Sequence, residues 1–135
     1  MVPAVDDSQW PLVRVLYPAA ATIDEIRLFV GLLERAVRSG PVAVLSDTRA
    51  LDPLQATTLH RRIVADAVDK LSKAGAILCA ANIVNARTRP LLQAVHWERM
   101  HHLHPIGIFD DPDEAERWAR GFLREDRRRE EPKAS

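Results

Sequence analysis

The chain has 135 residues, with 19 Lys plus Arg and 19 Asp plus Glu, so its formal net charge at pH 7 is zero. That length is typical of one domain with a core of its own, and the balanced charge gives no reason to expect nucleic acid or a membrane surface as a partner. The single cysteine, Cys79, excludes an internal disulfide. Because no apolar stretch reaches the roughly 18 residues of a membrane span and no signal peptide begins the chain, we expect a soluble cytoplasmic protein.

Four short apolar runs alternate with four segments that begin on a helix-start signal. The runs are Leu12–Tyr17, Val42–Leu45, Ala76–Val84 and Ile106–Phe109. The helical segments begin near Thr22, Asp52, Asn85 and Asp111. Strands that alternate with helices are typical of a mostly parallel sheet covered by helices. The sequence therefore predicts a single α/β domain over residues 1–123, with four strands and about four helices, followed by a charged, disordered tail over residues 124–135.

The first strand and helix have the clearest boundaries. Leu12–Tyr17 contains Arg14 and is flanked by prolines, so we expect this strand near an edge of the sheet. The helix after it opens on Thr22-Ile23-Asp24-Glu25, a capping box that pairs two amides left free at a helix start. One apolar stripe then follows, formed by Ile26, Phe29, Val30, Leu33 and Val37. Gly40 and Pro41 predict its end.

The remaining helices are marked by proline, asparagine and glycine. The second is predicted to start at Asp52 and end at Gly75, with an inward face of Leu59, Ile63, Ala67, Val68 and Leu71. Asn85 caps the third, in which Pro90 fits only within the first turn. The fourth starts at Asp111 with proline at its first helical position. Its stripe places Trp118 and Phe122 inside, together with Ala115, Ala119 and Leu123.

Three segments stand out by their order and spacing. They are Val13–Pro18 leading into Thr22–Glu25, then Val44–Arg49 with its strand ending in Asp-x-Arg, then Pro105–Asp111 with Glu114, Ala115 and Trp118. Over residues 12–123 this order resembles the SpoIIAA-like, or STAS-like, small α/β domains of bacteria. The resemblance implies a non-catalytic regulatory or protein-interaction module. Relatives that act as anti-sigma factor antagonists carry a phosphoacceptor serine, but the comparable stretch here, Leu51–Gln55, has no hydroxyl, so we do not expect that phosphorylation switch.

Polar residues follow three of the predicted strands. In an open parallel sheet ligands bind beyond the carboxyl ends of the strands. That edge would hold Asp47, Thr48, Arg49, Arg87 and Asp110, which are our candidates for binding a small polar ligand or a charged side chain of a partner. The structural alternative is that Asp47 and Arg49 pair with each other or cap nearby backbone.

A second candidate surface lies late in the chain, where histidines are dense. His96, His101, His102 and His104 do not have the spacing of a metal site, so we expect no bound metal. Trp97, Met100, His101 and His102 form our candidate interface patch, and core packing of Trp97 is the alternative.

Two classes of function remain open at this point. The sequence contains no nucleophile–base pair and no glycine-rich phosphate loop, so we expect no catalytic residues and no cofactor. The first class is a protein-binding module of STAS-like type, acting in bacterial signalling through another protein or as a homodimer, with neither nucleic acid nor a membrane as its partner. The second is a small-ligand-binding protein or enzyme, whose pocket would open at the carboxyl edge of the sheet near Asp47 and Arg49.

Overall fold

The computed structural model describes residues 1–98 and 104–130. Its strands are β1 (Ala4–Gln9), β2 (Leu12–Leu16), β3 (Val42–Asp47), β4 (Ile77–Ile83) and β5 (Ile106–Phe109). Its helices are α1 (Ile23–Ala36), α2 (Thr58–Lys73), α3 (Arg89–Glu98) and α4 (Pro112–Glu130), with a single 3₁₀ turn, Pro53–Gln55, ahead of α2. The predicted α/β class and the four helices are confirmed, but this part of the chain forms five strands rather than four.

The additional strand is β1, which pairs antiparallel with β2 in a register that puts Ala4 opposite Leu16 and Asp6 opposite Arg14. Most of its residues are exposed and several are polar, so it carries no apolar pattern from which a strand could be predicted. Since β1 takes the edge, the expectation that β2 lies near an edge is only partly met. Both neighbours of β2 are strands, and Val13 on it is fully buried.

Strands β2, β3, β4 and β5 are parallel and lie side by side in chain order. Each crossover therefore steps in the same direction, and crossovers of one hand then place their helices on one face of the sheet. The packing agrees: Phe29 of α1 and Val68 of α2 belong to the cluster that contains Val13 and Val44. Leu91 of α3 lines the same space as these residues.

Among the described residues, α4 is the helix that covers the opposite face, and it packs across β2, β3, β4 and β5. Ala115 and Ala119 are fully buried there, against Leu45 and Ala81 of the sheet. Cys79 lies in the same cluster, and burial raises the pKa of its thiol to about 12. The thiol is therefore protonated and unreactive at neutral pH.

An ionic network also holds α4 to the sheet. Arg14 of β2 pairs with Glu116, and Arg120 donates from Nε to the other carboxylate oxygen at 2.9 Å. The hydrogen bond from Arg14, and then that from Arg120, hold the pKa of Glu116 below its usual range.

The face of α4 that packs against the sheet is centred on other residues than the sequence predicts. Trp118 and Phe122 are half-buried rather than inside, because the small Ala115 and Ala119 make the closest approach to the sheet. Trp118 instead covers the border of the cluster, with its ring 4.8 Å from that of Phe122 and 5.5 Å from that of Phe109. The helix also continues to Glu130, past the boundary at residue 123 that the sequence predicts for the domain.

The start of α1 is confirmed and that of α2 is not. Thr22 Oγ1 accepts from the Glu25 amide at 3.1 Å, while the Glu25 carboxylate accepts from the Thr22 amide at 2.9 Å. Asp52 caps only the 3₁₀ turn, and α2 begins six residues later behind Thr57 as its N-cap. Of the predicted inward face, Val68 and Leu71 pack on the core together with Val64, whereas Leu59, in the first turn of α2, is 49% exposed.

One of the two predicted helix ends agrees with its glycine. Gly40 and Gly75 have φ angles of +138° and +74°, a region that costs glycine little. Gly75 directly follows the C-cap of α2 and turns the chain towards β4, whereas α1 already ends at Ala36, four residues before Gly40. No helix among the described residues is both long enough and apolar enough to cross a bilayer.

We expect Trp118→Ala to lower the free energy of unfolding by about 3 kcal/mol, at the lower end of the range for aromatic truncation because the ring is only half-buried. Urea denaturation followed by circular dichroism measures the change. A midpoint that stays at the wild-type value would mean that the ring contributes nothing to the packing of α4 against the sheet.

Candidate functional site

A cavity of about 220 Å³ lies between the sheet and the three helices α1, α2 and α3. Its floor is formed by the β3 and β4 side chains Val44, Ser46, Ala80 and Asn82. The walls are mainly aliphatic and come from α1, α2 and α3, with Phe29, Val64, Val68, Leu91, Leu92 and Val95 among them. A space of this size with apolar walls is large enough to hold a small organic molecule, since an apolar cavity of about 150 Å³ already holds benzene.

The cavity exists because the floor side chains are small. Ser46 and Asn82 are register partners on neighbouring strands, and Ala80 lies two residues before Asn82 on the same face. Helix α2 spans the floor without filling it, and of its side chains only that of Ser72 is buried. The opposite face shows the contrast, because there Ala115 and Ala119 of α4 approach the sheet closely and leave no exposed surface.

Three polar side chains of the sheet line this space. Thr48 Oγ1 donates to the Ile83 carbonyl at 2.8 Å, and Asn82 Nδ2 donates to the Gly107 carbonyl at 3.3 Å. Ser46 is only 7% exposed, and within the described part of the chain its hydroxyl has no hydrogen-bond partner. A hydroxyl that lines a cavity and has no partner in the protein is suited to hydrogen bond with a bound molecule.

His60 and Tyr17 line the cavity where α2 begins. The His60 ring lies 2.7 Å from the Ala21 carbonyl through Nε2 and 2.5 Å from Thr57 Oγ1 through Nδ1. Since a carbonyl only accepts, Nε2 carries the proton, and the ring holds the start of α2 against the loop that precedes α1. The Tyr17 ring packs edge-on against Phe29 at 5.5 Å, and burial raises the pKa of its phenol above the usual value, so the hydroxyl is neutral.

The residues predicted to form a polar site lie at the carboxyl edge of the sheet, mostly paired. Asp47 and Arg49 form a bidentate pair, with Nε to Oδ1 at 3.0 Å and Nη2 to Oδ2 at 2.8 Å. The hydrogen bond from the Arg49 side chain holds the pKa of Asp47 below its ordinary value. Arg87 pairs with Asp52 at 3.3 Å, and Asp110 pairs with Arg89.

Two further side chains complete this edge. Asn85 Oδ1 accepts from the amides of Arg87 and Thr88 at 3.0 Å each, while its Nδ2 donates to the Arg49 carbonyl at 2.8 Å. Thr48, the fifth predicted residue, is buried and faces the cavity. The edge is therefore a set of caps and exposed ion pairs, which is the structural alternative considered for Asp47 and Arg49, and neither of these two lines the cavity.

The candidate interface patch falls largely outside the described residues. Met100, His101 and His102 lie there, and Trp97 belongs to α3 without a described side chain. His104 is buried and its Nδ1 lies 2.6 Å from Ser72 Oγ at the end of α2. Over residues 1–98 and 104–130, no group of three or more His, Cys, Asp and Glu side chains is arranged to hold a metal ion.

The cavity and its lining were not predicted from the sequence. The signal available was the presence of Ser46, Ala80 and Asn82 within two strands that otherwise carry mostly larger apolar residues. Comparison of the chain with protein-family models, with curated proteins and with solved structures gives no match.

The Asp47–Arg49 pair predicts a specific pH dependence. Because the pKa of Asp47 is lowered on folding from an ordinary value of 3.8, its contribution to stability is present above that pH and is lost as the pH falls through the folded-state pKa. We expect Asp47→Asn to cost about 0.5–1 kcal/mol at pH 7, as for other exposed pairs, and progressively less as the pH falls below 3.8. Urea titrations of both proteins from pH 7 to pH 2.5 test this, and a difference that does not change with pH would contradict it.

Proposed function

We propose that this protein is a binding module for a small, mainly apolar molecule held between the sheet and helices α1, α2 and α3. The observation that carries the proposal is the cavity of about 220 Å³ with its aliphatic walls. Ligand sites in proteins have this character, with a mostly apolar lining and a few polar groups that orient the ligand. Asp47 and Arg49 do not line this cavity and pair with each other, although Ser46, Thr48 and Leu51 close to them do line it.

The position of the cavity within the fold supports a binding role. It lies under α2, whose apolar side chains are only partly buried, so an occupant would gain contacts with both the helix and the sheet. Apolar surface removed from water contributes about 25 cal/mol per Å², and α2 would gain stability from the same contacts. Binding would therefore stabilise the folded protein as well as hold the ligand.

The test uses 1-decanol below its solubility limit as a neutral apolar probe, with binding measured by isothermal titration calorimetry and by the thermal unfolding midpoint. We expect saturable binding with one molecule per chain and a higher midpoint. Ala80→Leu, which puts a larger side chain on the cavity floor, is expected to abolish binding and to raise stability without ligand by about 1 kcal/mol, as cavity filling does.

Ala50→Leu is the matched control, because Ala50 is exposed in the loop after β3 and does not line the cavity. It should bind decanol as the wild type does. Failure of the wild type to bind any apolar probe of this chain length, charged or neutral, would overturn the proposed function, as would equal binding by Ala80→Leu.

A protein-interaction role of STAS-like type, in a homodimer or with another protein, is the second candidate. A single α/β domain is compatible with this role, although its described sheet has five strands rather than the four that the resemblance implies. The observation in its favour is an apolar pair on the outer side of α1, where Leu28 is 61% and Leu32 is 39% exposed. These residues are one helical turn apart, so they form a single patch.

Size-exclusion chromatography with light scattering tests this candidate. We expect the wild type to form a dimer at high micromolar concentration and Leu28→Asp with Leu32→Asp to be a monomer, because charge on the patch would be desolvated in an interface. Leu54→Asp is the control, since Leu54 is 89% exposed but lies in the 3₁₀ turn away from α1. A wild type that is monomeric at every concentration would exclude a homodimer through this patch.

A further inference from the structure

Arg61 differs from the other arginines that lie close to the sheet. Arg14, Arg49, Arg87 and Arg89 each pair with a carboxylate of the chain. Arg61 has no ion pair within the described residues, and the only hydrogen bond of its side chain runs from Nη2 to Thr58 Oγ1 at 3.4 Å. Its Nε atom is buried and has no acceptor.

The Arg61 side chain is among those that line the cavity. A guanidinium group stays charged at every physiological pH and offers five N–H donors in a fixed plane. Leaving one of them buried without an acceptor destabilises the protein. A carboxylate satisfies this geometry best, because its two oxygens match two parallel N–H groups of the guanidinium.

We propose, on the basis of the proposed binding function, that the cavity takes an apolar carboxylate, such as a medium-chain fatty acid, with its anionic group held by Arg61. The end of the cavity at which α2 begins supplies the polar groups. Arg61 lies in the first turn of α2, where the helix dipole also favours an anion. Ser46, with its unpartnered hydroxyl, lines the same cavity near the end of β3.

Other polar side chains at the cavity do not replace the ligand as a partner of Arg61. His60 is hydrogen-bonded through both ring nitrogens to Thr57 and Ala21. Asp69 also lines the cavity, but it has an interaction of its own. It follows Arg61 by eight residues, which separates the two by about 12 Å along the helix.

The aliphatic part of the cavity fits the chain of such a ligand. Val64 and Val68 follow Arg61 on the same side of α2, and Leu91 and Val95 of α3 face the same space. The carboxylate at the Arg61 end would therefore leave an alkyl chain to run between the helices and the sheet. Water is excluded from these contacts, which strengthens the pairing with the guanidinium.

The experiment compares decanoate with 1-decanol, which has the same chain length and no charge, by isothermal titration calorimetry at pH 7.5 and below the critical micelle concentration. We expect the wild type to bind decanoate at least tenfold more tightly than decanol. In Arg61→Met the two ligands should bind with equal affinity, since the variant keeps the length of the side chain and removes its charge. Arg62→Met is the matched control, because Arg62 is the next residue on α2 and is exposed, and it should keep the wild-type preference.

A second readout separates a ligand contact from a purely structural role. Because Arg61 has no ion-pair partner to lose, Arg61→Met without ligand should unfold at the wild-type temperature or above it. A lower unfolding temperature would point to a structural role and would contradict the assignment.

The outcomes distinguish this inference from the function on which it rests. Equal binding of decanoate and decanol by the wild type, or an unchanged preference in Arg61→Met, would overturn the role of Arg61 and leave the apolar cavity as a binding site. Absence of binding by both probes would overturn the cavity function and this inference together.

Discussion

The order of the strands is the constraint on which the rest of this structure depends. Since β2, β3, β4 and β5 lie side by side in chain order, every crossover steps the same way and three helices share one face of the sheet. Of the four described helices, only α4 remains for the other face, where it packs across four strands. The two faces are consequently packed in different ways, one by a single close contact and the other by three helices that bridge a wider space.

Residue size determines how each face responds to this constraint. On the α4 side both partners are small where they meet, Ala115 and Ala119 against Ala81, so the helix lies close to the sheet and every atom at the contact is buried. On the other side the sheet carries the small side chains of Ser46 and Ala80, but α2 does not lie as close to the sheet as α4 does. When only the sheet or only the helix has small residues at their contact, an empty space remains between them. When both have small residues there, the helix can lie close to the sheet and no space remains.

Charge is distributed with the same asymmetry. The carboxyl edge is rich in ionic groups, and Arg49, Arg87 and Arg89 are each neutralised by a neighbouring carboxylate. Such exposed pairs add little free energy and leave no net field to attract a ligand. The cavity has few ionic groups, but the Nε atom of Arg61 there is buried without an acceptor.

Much of the fold could be predicted from the sequence, including the strands β2 to β5 and the capping box of α1, because those signals are local. β1 could not, since an exposed polar strand has no apolar periodicity, and neither could the cavity, since it depends on the distance between α2 and the sheet, which no local pattern encodes.

The incomplete burial of α2 has a consequence for motion as well as for binding. Local opening costs least where few apolar contacts are lost, and α2 has only one buried side chain along its whole length. Its amide hydrogens should therefore exchange with solvent sooner than those of α4, and the helix would separate from the sheet while the strands stay paired. If a molecule reaches the interior by that route, the rate of its entry is limited by how often α2 opens, and its residence time by how firmly its own contacts keep α2 closed.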